Sequence, residues 1–434
     1  TYDHEGELKR EVIHTYNNSS ARFDEYVRAI SKVRESPFSN IYLRMSASYP
    51  IYTYDPYLVS TTTTEYFPGA EAMVTTTAYT YNSYGLTASK TETDSKGDTF
   101  SETYRYAPDL IGSEQFPLME QLTQAHRISE PVIIEKYLHG HKLSEYHVKY
   151  GASEETGYRP QPIAVYERGG EGSIDLNAAT DRRLEIFGYD GHGKVREYKQ
   201  DGVSVTQLWG YNGEYLIAKL VNVTYAEVEA ALSSSDLTLL IAGHHFIAAG
   251  PPFWVPKVIP LTEEEMRNLL ARLRTSLPQA QVTTYTYHPL VGRTSETQPH
   301  GRTVYYEYDP FHRIKTVKDE EGKVVQQFEY HYAQGASGTE NSLKTITARQ
   351  ALSGDLSEHS SPIQTQQQVW YYDGLGRPLQ SVRRWGSPEG YDVVTPYVYD
   401  RFGRQEVSYL PYPAAQKTGQ FIPTATAEEG IHRY

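Results

Sequence analysis

Apolar and polar residues alternate along the stretch from residue 285 to residue 332. One side of the alternation carries aromatic and β-branched residues: Val304, Tyr306, Tyr308, Phe328, Tyr330 and Tyr332. A period of two predicts strands with one apolar face. The pairs Asp309-Pro310 and Glu321-Gly322 interrupt the alternation and predict turns, because Pro fixes φ and Gly accepts a positive φ. The stretch is therefore predicted to be a run of β-hairpins.

These hairpins recur at a nearly constant spacing. Tyr287 is followed by Gly301 fourteen residues later and by Tyr308 twenty-one residues later. From Tyr308, Gly322 follows after fourteen residues and Tyr330 after twenty-two. A period of this length is typical of repeat proteins, in which each unit needs its neighbours to bury its apolar face. The pattern predicts an all-β array of tandem hairpins.

Each unit carries a Tyr-Asp pair, a turn and then Gly-Arg or a degraded form of it. The clearest copies are Tyr372-Asp373-Gly374-Leu375-Gly376-Arg377, Tyr399-Asp400-Arg401-Phe402-Gly403-Arg404, Tyr189-Asp190-Gly191-His192-Gly193-Lys194 and Tyr308-Asp309-Pro310-Phe311-His312-Arg313. Weaker copies are Tyr2-Asp3, Tyr54-Asp55, Tyr81-Asn82 and Tyr211-Asn212. Recurrence with every unit indicates a structural role. We expect the aspartate to cap the turn by accepting N–H bonds from residues further on, and the arginine to pair with that carboxylate.

This series resembles the YD-repeat (RHS-type) proteins of bacteria, and the run YYDGLGRP…VVTP…YVYDRFGR…YLPY resembles the version found in the Bacteroidota. The resemblance implies a twisted, spiralling sheet of successive hairpins, which in the family can close into a hollow shell around a C-terminal toxin. In such proteins the YDGLGRP block usually precedes the main array, whereas here it follows the array. Residues 1–334 and 369–434 therefore form either one continuous sheet or adjacent parts of a larger polymer.

The pattern divides the chain into five parts. Residues 1–223 are predicted to be hairpin repeats with a short helical excursion near 22–34, where Phe23, Tyr26, Val27 and Ile30 have helical spacing. The other parts are a helical insertion at 224–280, hairpin repeats at 281–334, a linker or long loop at 335–368, and the YDGLGRP-type block at 369–434. The 335–368 prediction depends on a Gly, Ser, Thr and Gln composition without any period.

The helical insertion has two start signals. Thr224 with Glu227, and Thr262 with Glu265, have the form of a capping box, in which each side chain bonds to a free backbone N–H group of the other residue. Helices are predicted at about 225–233 and 263–275. Their apolar stripes are expected to pack on the sheet through Val228, Leu232, Leu269, Leu270 and Leu273.

Composition narrows the possible partners of the 434-residue chain. Its net charge of −13 argues against nucleic acid and against an anionic membrane surface. It has no cysteine, and its longest apolar run, residues 237–249, is too short to span a bilayer. Thirty-nine tyrosines suit a half-buried sheet face.

The N-terminus has no signal-peptide character and opens within a repeat, so we expect a fragment or a mature product.

Few side chains suggest chemistry. His139, His141 and His147 are the best candidates for a zinc site, but no acidic partner lies at a recognisable spacing. His244 and His245 are adjacent, so in a strand they face opposite ways. The remaining candidates have structural explanations: Glu263, Glu264 and Glu265 suit the first turn of a helix, while Trp209, Trp254, Trp370 and Trp385 suit strand faces.

No catalytic, cofactor-binding or metal-binding residue is therefore predicted. The sequence favours a non-enzymatic scaffold, a wall segment of an RHS/YD-repeat shell in a secreted or surface polymorphic-toxin type protein. Its partner would be an encapsulated or neighbouring domain of the same larger protein, with no nucleic acid and no membrane insertion. Two alternatives stay open: a cell-surface adhesin or glycan-binding module with a Tyr/Trp-rich face, and an enzyme with an unrecognised site.

Overall fold

The computed structural model describes residues 7–17, 26–34, 44–52, 56–247, 257–333, 340–359, 361–401, 403–405 and 407–423. The copies at Tyr2-Asp3 and Tyr54-Asp55, and Trp254, lie outside these residues. Within them, no helix is both long enough and apolar enough to cross a membrane.

Strands dominate the described residues. The first third contains β1 (Arg10–Tyr16), β2 (Tyr26–Arg34), β3 (Arg44–Tyr52), β4 (Leu58–Glu65), β5 (Met73–Tyr81), β6 (Thr87–Thr93), β7 (Thr99–Tyr106), β8 (Pro131–Leu138), β9 (His141–Gly151) and β10 (Gln161–Gly169). The middle contains β11 (Arg182–Tyr189), β12 (Val195–Gln200), β13 (Val203–Gly210), β14 (Tyr215–Val221), β15 (His244–Ile247), β16 (Lys257–Pro260), β17 (Gln281–His288) and β18 (Gly292–Thr297). The last part contains β19 (Thr303–Tyr308), β20 (Ile314–Lys318), β21 (Val324–His331), β22 (Asn341–Leu352), β23 (Thr365–Tyr372), β24 (Pro378–Arg383), β25 (Asp392–Val398), β26 (Val407–Ser408) and β27 (Tyr412–Ala414).

Twenty-three of these strands belong to one open antiparallel sheet. Neighbours in the sheet are almost always neighbours in the chain, as a run of hairpins requires. Two excursions interrupt this order. The β2–β3 hairpin lies between β1 and β4 in the chain, and residues 222–280 lie between β14 and β17, yet β1 pairs with β4 and β14 pairs with β17. The prediction of an all-β fold with a minor helical part is confirmed.

Residues 26–34 are a strand, so the predicted helix near 22–34 is wrong over the part that the structure describes. Each residue of β2 has a partner in β3, from Tyr26 opposite Tyr52 to Arg34 opposite Arg44. Val27 and Ile30 are β-branched and suit a pleated surface. The four apolar residues were too few to distinguish a helical period from chance, and pairing with β3 decides the outcome.

The predicted linker or long loop at 335–368 is wrong over residues 341–352 and 365–368, which are strand. Residues 341–352 form β22, the longest strand of the described chain, which pairs with β21 on one side and β23 on the other. Its Ile346 is fully buried. Low hydrophobicity does not prevent this strand, because residues 342–347 pair with strands on both sides and gain backbone bonds from them. β22 thus joins the array to the YDGLGRP block in one continuous sheet.

The helical insertion exists, and both capping boxes form. The α-helices of the described residues are α1 (Met119–Gln124), which precedes the insertion, and within it α2 (Tyr225–Ala231), α3 (Ser234–Ala242) and α4 (Glu263–Ser276). Thr224 and Glu227 bond reciprocally at the start of α2, and Thr262 and Glu265 do so at the start of α4. The middle helix of the insertion, α3, was not predicted. It begins at Ser233, whose side chain accepts a bond from the backbone of Asp236.

The insertion packs against the sheet as the sequence predicts. All five expected residues are buried in one apolar cluster with the strand residues Leu208, Ile217 and Leu220. Arg274 of α4 adds a polar tie: one of its terminal nitrogens donates to the carbonyl oxygens of Val282 and Thr297. The helices therefore cover one sheet face at β13, β14 and β17.

Candidate functional site

The repeated aspartates occupy hairpin turns, as predicted. Asp309 follows β19, and its Oδ1 accepts bonds from the backbone N–H groups of Phe311 at 2.8 Å and Arg313 at 3.0 Å. Asp373 follows β23 and accepts in the same way from Leu375 and Arg377, both at 2.9 Å. Comparable turns begin at Asn82, Asp94, Asp190, Asp319 and Asp400.

Each of these turns closes through the backbone as well. In the Asp373 turn, the Gly376 N–H donates to the Asp373 carbonyl and the Asp373 N–H to the Arg377 carbonyl. The fourth residue must adopt a positive φ, which is +78° at Gly376 and +61° at His312. This is a three-residue hairpin connection with a bulge, for which Gly is the natural residue. In the Asp309 copy, His312 stands where the motif has glycine, and it adopts the same positive φ, so the turn keeps its geometry.

The repeated arginines fold back on the same carboxylates. Arg313 Nε lies 2.8 Å from Asp309 Oδ2, and Arg377 Nε lies 2.7 Å from Asp373 Oδ2. The side-chain hydrogen bond from Arg313 lowers the pKa of Asp309, and the backbone bond from Arg377 lowers that of Asp373. Arg313 also lies over the ring of Tyr330, at 4.0 Å from its centroid. These polar groups are satisfied within their own turns, and Asp373 borders an open cleft that Asp309 does not line.

The candidate histidines are not brought together. His139 lies in the turn after β8 with its Nε2 3.4 Å from Asp98, and His141 is 83% exposed beside Glu171. His147 is buried further along β9. His244 lies opposite Pro260, and His245 opposite Ile259, in the β15–β16 hairpin. Among the described residues, no three His, Asp, Glu or Cys side chains are grouped to hold a metal ion.

The described tryptophans have structural contacts. Trp209 Nε1 donates to the Val195 carbonyl at 2.8 Å. Trp370 stacks on Tyr397 with 6.0 Å between centroids, and Trp385 lies under the guanidinium of Arg384. The three glutamates at 263–265 lie in the first turn of α4, where Glu265 completes the capping box.

A buried group of charges on β7, β8 and β9 was missed by the sequence analysis. Glu135 of β8 lies directly opposite Glu145 of β9. Lys142 bridges the two carboxylates, with its Nζ 3.0 Å from Glu135 Oε1 and 3.1 Å from Glu145 Oε2. Arg105 of β7 lies 3.7 Å from Glu135. His147 Nε2 lies 2.6 Å from Glu145 Oε1, and both side chains are only 5% exposed.

The charges in this group sustain one another. Burial alone would raise the pKa of Glu135, but the hydrogen bond and charge of Lys142 outweigh burial and lower it. Burial opposes the charge on Lys142, yet its bonds to Glu135 and Glu145 raise its pKa. The sequence did show that Glu135 shares a strand face with Ile133, and Glu145 with His147, because each pair is two residues apart. What the sequence hid is the cover over this face, since the covering residues are distant in the chain.

That cover comes from two chain segments. Segment 107–126, which includes α1, buries Phe116 with its ring centroid 5.8 Å from that of His147. Segment 170–177 is held by lysines of β9: Lys142 donates to the Gly172 carbonyl at 3.2 Å, and Lys149 to the Leu176 carbonyl at 2.9 Å. Glu145 and His147 are therefore enclosed, whereas the side chain of Arg105 stays 48% exposed at the edge of the group.

A buried aspartate holds the last described segment, residues 415–423, against the sheet. Asp392 of β25 is 0% exposed and accepts from the backbone N–H groups of Trp385 and Gly419. Tyr371 donates to the Gly419 carbonyl at 2.7 Å. Burial raises the pKa of Tyr371 to about 12. Because every partner in this arrangement is backbone, Asp392 acts as a structural anchor.

The larger clefts are open and shallow. One, of about 390 Å³, lies between β10 and β11 and includes Lys149, Tyr166 and Arg182. Another, of about 460 Å³, includes Tyr330, Tyr332, Asn341 and Tyr372. The Asn341 side chain is already bonded to backbone groups of residues 333 and 373. In the first cleft the Ser153 hydroxyl donates to Glu155 Oε2 at 2.6 Å, a contact between residues two apart in one exposed turn.

One domain family matches the chain. Residues 344–433 match the family described as Domain of unknown function (DUF6443). The match begins within β22 and includes the turns at Asp373 and Asp400. No curated protein sequence matches the chain.

Several solved structures are similar over most of the chain. TcdB2-TccC3 aligns with 89% of this chain and 22% of its own, at 13% identity and a TM-score of 0.26. The alignment with TcdB2-TccC3 without the hypervariable C-terminal region covers 98% of this chain and 26% of that one, at 13% sequence identity and a TM-score of 0.27. The alignment with the Photorhabdus luminescens Tc holotoxin pore covers 96% of this chain and 25% of that one, at 12% sequence identity and a TM-score of 0.19. The chain spans about a quarter of the length of these chains.

Proposed function

We propose that the chain is a non-enzymatic wall segment of an RHS/YD-repeat shell, in a secreted or cell-surface protein of the polymorphic-toxin type. The observation that carries this proposal is one continuous hairpin sheet in which, among the described residues, Asp309, Asp373 and Asp400 each pair with the arginine of their own turn. A wall needs many similar connections between strands and no binding pocket, and these residues stabilise the turns that make the connections. The helical insertion and segment 415–423 cover parts of one face, as terminal and lateral covers do in repeat proteins.

The partner implied by this function is a polypeptide domain of the same larger protein, enclosed by or adjacent to the sheet. The test uses the complete reading frame, purified and treated with a non-specific protease. A shell protects an internal domain until the wall is unfolded, so a protected fragment outside residues 1–434 is expected in native protein and absent after denaturation. Equal cleavage of that domain under both conditions would reject enclosure.

The non-enzymatic part of the proposal has its own test. Protein purified without a chelator or a histidine tag is expected to contain no stoichiometric transition metal. His139 and His141 each lie beside a single carboxylate on the surface, which is too few ligands for a stable site. Stoichiometric zinc that is lost in a His139→Ala, His141→Ala variant would instead establish a metal site and favour an enzyme.

A glycan-binding function is a second candidate, favoured by the cleft at β21–β23. Tyr332 is 61% exposed there, and Tyr330 and Tyr372 line the same cleft. Aromatic rings of this kind stack on sugar faces. A glycan array probed with the wild type and with Tyr332→Ala tests it: binding that the substitution abolishes supports an adhesin, and no binding by the wild type rejects it.

A further inference from the structure

His147 is a histidine enclosed by sheet and cover. It is 4% exposed and lies in β9 between Ile133 of β8 and Tyr166 of β10. Phe116 of segment 107–126 lies over its ring, with 60° between the ring planes. Phe116 is itself 4% exposed. Water therefore reaches the imidazole only when segment 107–126 moves away from the sheet.

The charges around His147 are balanced while the imidazole is neutral. The titratable and charged side chains that share its sheet face, by register and alternation, are Arg105 of β7, Glu135 and Tyr137 of β8, Lys142 and Glu145 of β9, and Tyr166 and Arg168 of β10. Two carboxylates face Lys142 and Arg105, while Arg168 pairs with Asp181 at 3.1 Å. The covering segment places the uncharged ring of Phe116 against His147, and its own titratable residues are Asp109, Glu114, Glu120 and His126. A proton on His147 adds one positive charge that no further carboxylate balances.

The second ring nitrogen of His147 adds to this cost. Nε2 lies 2.6 Å from Glu145 Oε1, but within the part of the chain that the structure describes neither Nε2 nor Nδ1 makes a hydrogen bond of suitable geometry. An imidazolium must donate from both nitrogens, so it would bury at least one unsatisfied N–H, at Nδ1. Burial lowers the pKa of His147, although the charge of Glu145 acts in the opposite direction.

We propose that neutral His147 is a proton-sensitive latch that keeps segment 107–126 closed over β8 and β9, and that its protonation in mildly acidic solution loosens this cover. Opening admits water, which hydrates the imidazolium and satisfies Nδ1. The inference stands apart from the shell proposal, because it concerns only the contact between one cover segment and the sheet.

The direction of the pH dependence follows from linkage. The closed form holds His147 with a pKa below the ordinary value of 6.5, so the open form binds the proton more readily. The latch therefore contributes its full stability above about pH 6.5 and loses it as the pH falls below that value. Glu135 responds elsewhere, since its pKa lies below the ordinary value of 4.5. The effects of His147 and Glu135 thus separate along the pH axis.

Hydrogen exchange with mass spectrometry tests the latch on the intact chain. Exchange is measured at about pH 7.5 and about pH 5.5, which bracket histidine titration, with times scaled for the intrinsic rate. Peptides from 107–126 are expected to lose about tenfold of their protection at the lower pH, the equivalent of one pKa unit. Peptides from 365–383, which contain no histidine, are expected to keep theirs.

Two variants assign the effect to one residue. His147→Gln is expected to exchange equally at both pH values in 107–126. His141→Gln, a matched control in the same strand at an 83% exposed position, is expected to behave like the wild type. A wild type without pH dependence, a pH effect that persists in His147→Gln, or one that disappears in His141→Gln would each overturn the proposal.

A pH series on the wild type alone keeps the test independent of how the variants fold. Loss of protection in 107–126 with a midpoint between 4.5 and 6.5, the ordinary values for Glu and His, supports the latch. A midpoint below 4.5 would assign the opening to carboxylates and reject it.

Discussion

The hydroxyl of Tyr308 donates a 2.8 Å hydrogen bond to the backbone carbonyl of Arg293, in the strand next to its own. The same tie recurs along the sheet: Tyr81 to Leu58, Tyr106 to Thr87, Tyr189 to Pro162 and Tyr330 to Ile314. In each case a tyrosine near the end of one strand fastens the start of the preceding strand. At Tyr81, Tyr189 and Tyr308 the tyrosine belongs to a Tyr-Asp or Tyr-Asn pair, so there the Tyr joins neighbouring strands while the Asp or Asn shapes the turn that follows.

Removing the Tyr308 hydroxyl is expected to destabilise the sheet modestly. Tyr308→Phe keeps the ring but leaves the Arg293 carbonyl without this donor, which costs about 0.5–1.5 kcal/mol. Urea denaturation of both proteins measures the difference. Tyr306→Phe is the matched control in the same strand, because no hydroxyl bond of Tyr306 to a described residue exists. Equal losses in the two variants would show that the tie contributes nothing.

Gly292 leaves the space that the Tyr308 ring occupies. A Cβ at residue 292 would lie 2.3 Å from the Tyr308 hydroxyl oxygen. Gly292→Ala is therefore expected to displace the ring and cost about 1–3 kcal/mol, the usual range for overpacking. In a Tyr308→Ala background the same change is expected to cost much less, because the clash is gone. Gly374→Ala, where a Cβ meets nothing within 4 Å, is the control; additive effects would contradict the mechanism.

Asp373 combines two roles that substitutions can separate. Asp373→Asn keeps an oxygen that accepts from the turn N–H groups, as Asn82 does in its own turn, but loses the charge that pairs with Arg377. Asp373→Ala loses both. We expect thermal melting temperatures to fall in the order wild type, Asn variant, Ala variant. An Asn variant that melts as low as the Ala variant would assign the whole effect to the ion pair.

The paired carboxylates predict an acid-sensitive window. In the folded chain the pKa of Asp309 and that of Asp373 lie below the ordinary value of 3.8. Their contribution is therefore complete above that pH and is lost as the pH falls through the lowered values. Denaturant midpoints of the wild type and an Asp309→Asn, Asp373→Asn variant are expected to converge below about pH 3.8. A gap that stays constant down to strong acid would contradict this.

The sequence predicted what is local and repeated. The turn role of Asp373 needs only the residues that follow it, and the capping box at Thr262 needs only Glu265. Both are short-range signals, so they were readable without knowing the fold. The strands at 26–34 and 341–352 depend instead on partners elsewhere in the chain, which hydrophobic spacing does not reveal.

The buried charges were missed for a related reason. Glu145 and His147 look like the polar face of an exposed strand, and only the cover from Phe116 and its segment makes them buried. Asp392 was passed over because its partners, the backbone of residues 385 and 419, belong to loops without a sequence signature. The site was therefore missed because the segments that cover these residues are distant in the sequence, and not because the strands were hard to recognise.

The last prediction concerns the helical insertion. Leu273 of α4 is fully buried between the helices and the sheet. Leu273→Ala is expected to cost about 2–5 kcal/mol, concentrated in residues 224–280 because units of a repeat protein contact mainly their neighbours. Hydrogen exchange of peptides from α2 and α4 measures the loss, and peptides from β23 and β24 are expected to stay protected. Leu375→Ala, at an 81% exposed turn position, is the matched control and is expected to change nothing. Equal loss of protection along the whole sheet would mean that the insertion is part of one cooperative unit with the distant repeats, and not a separate cover fastened to β13, β14 and β17.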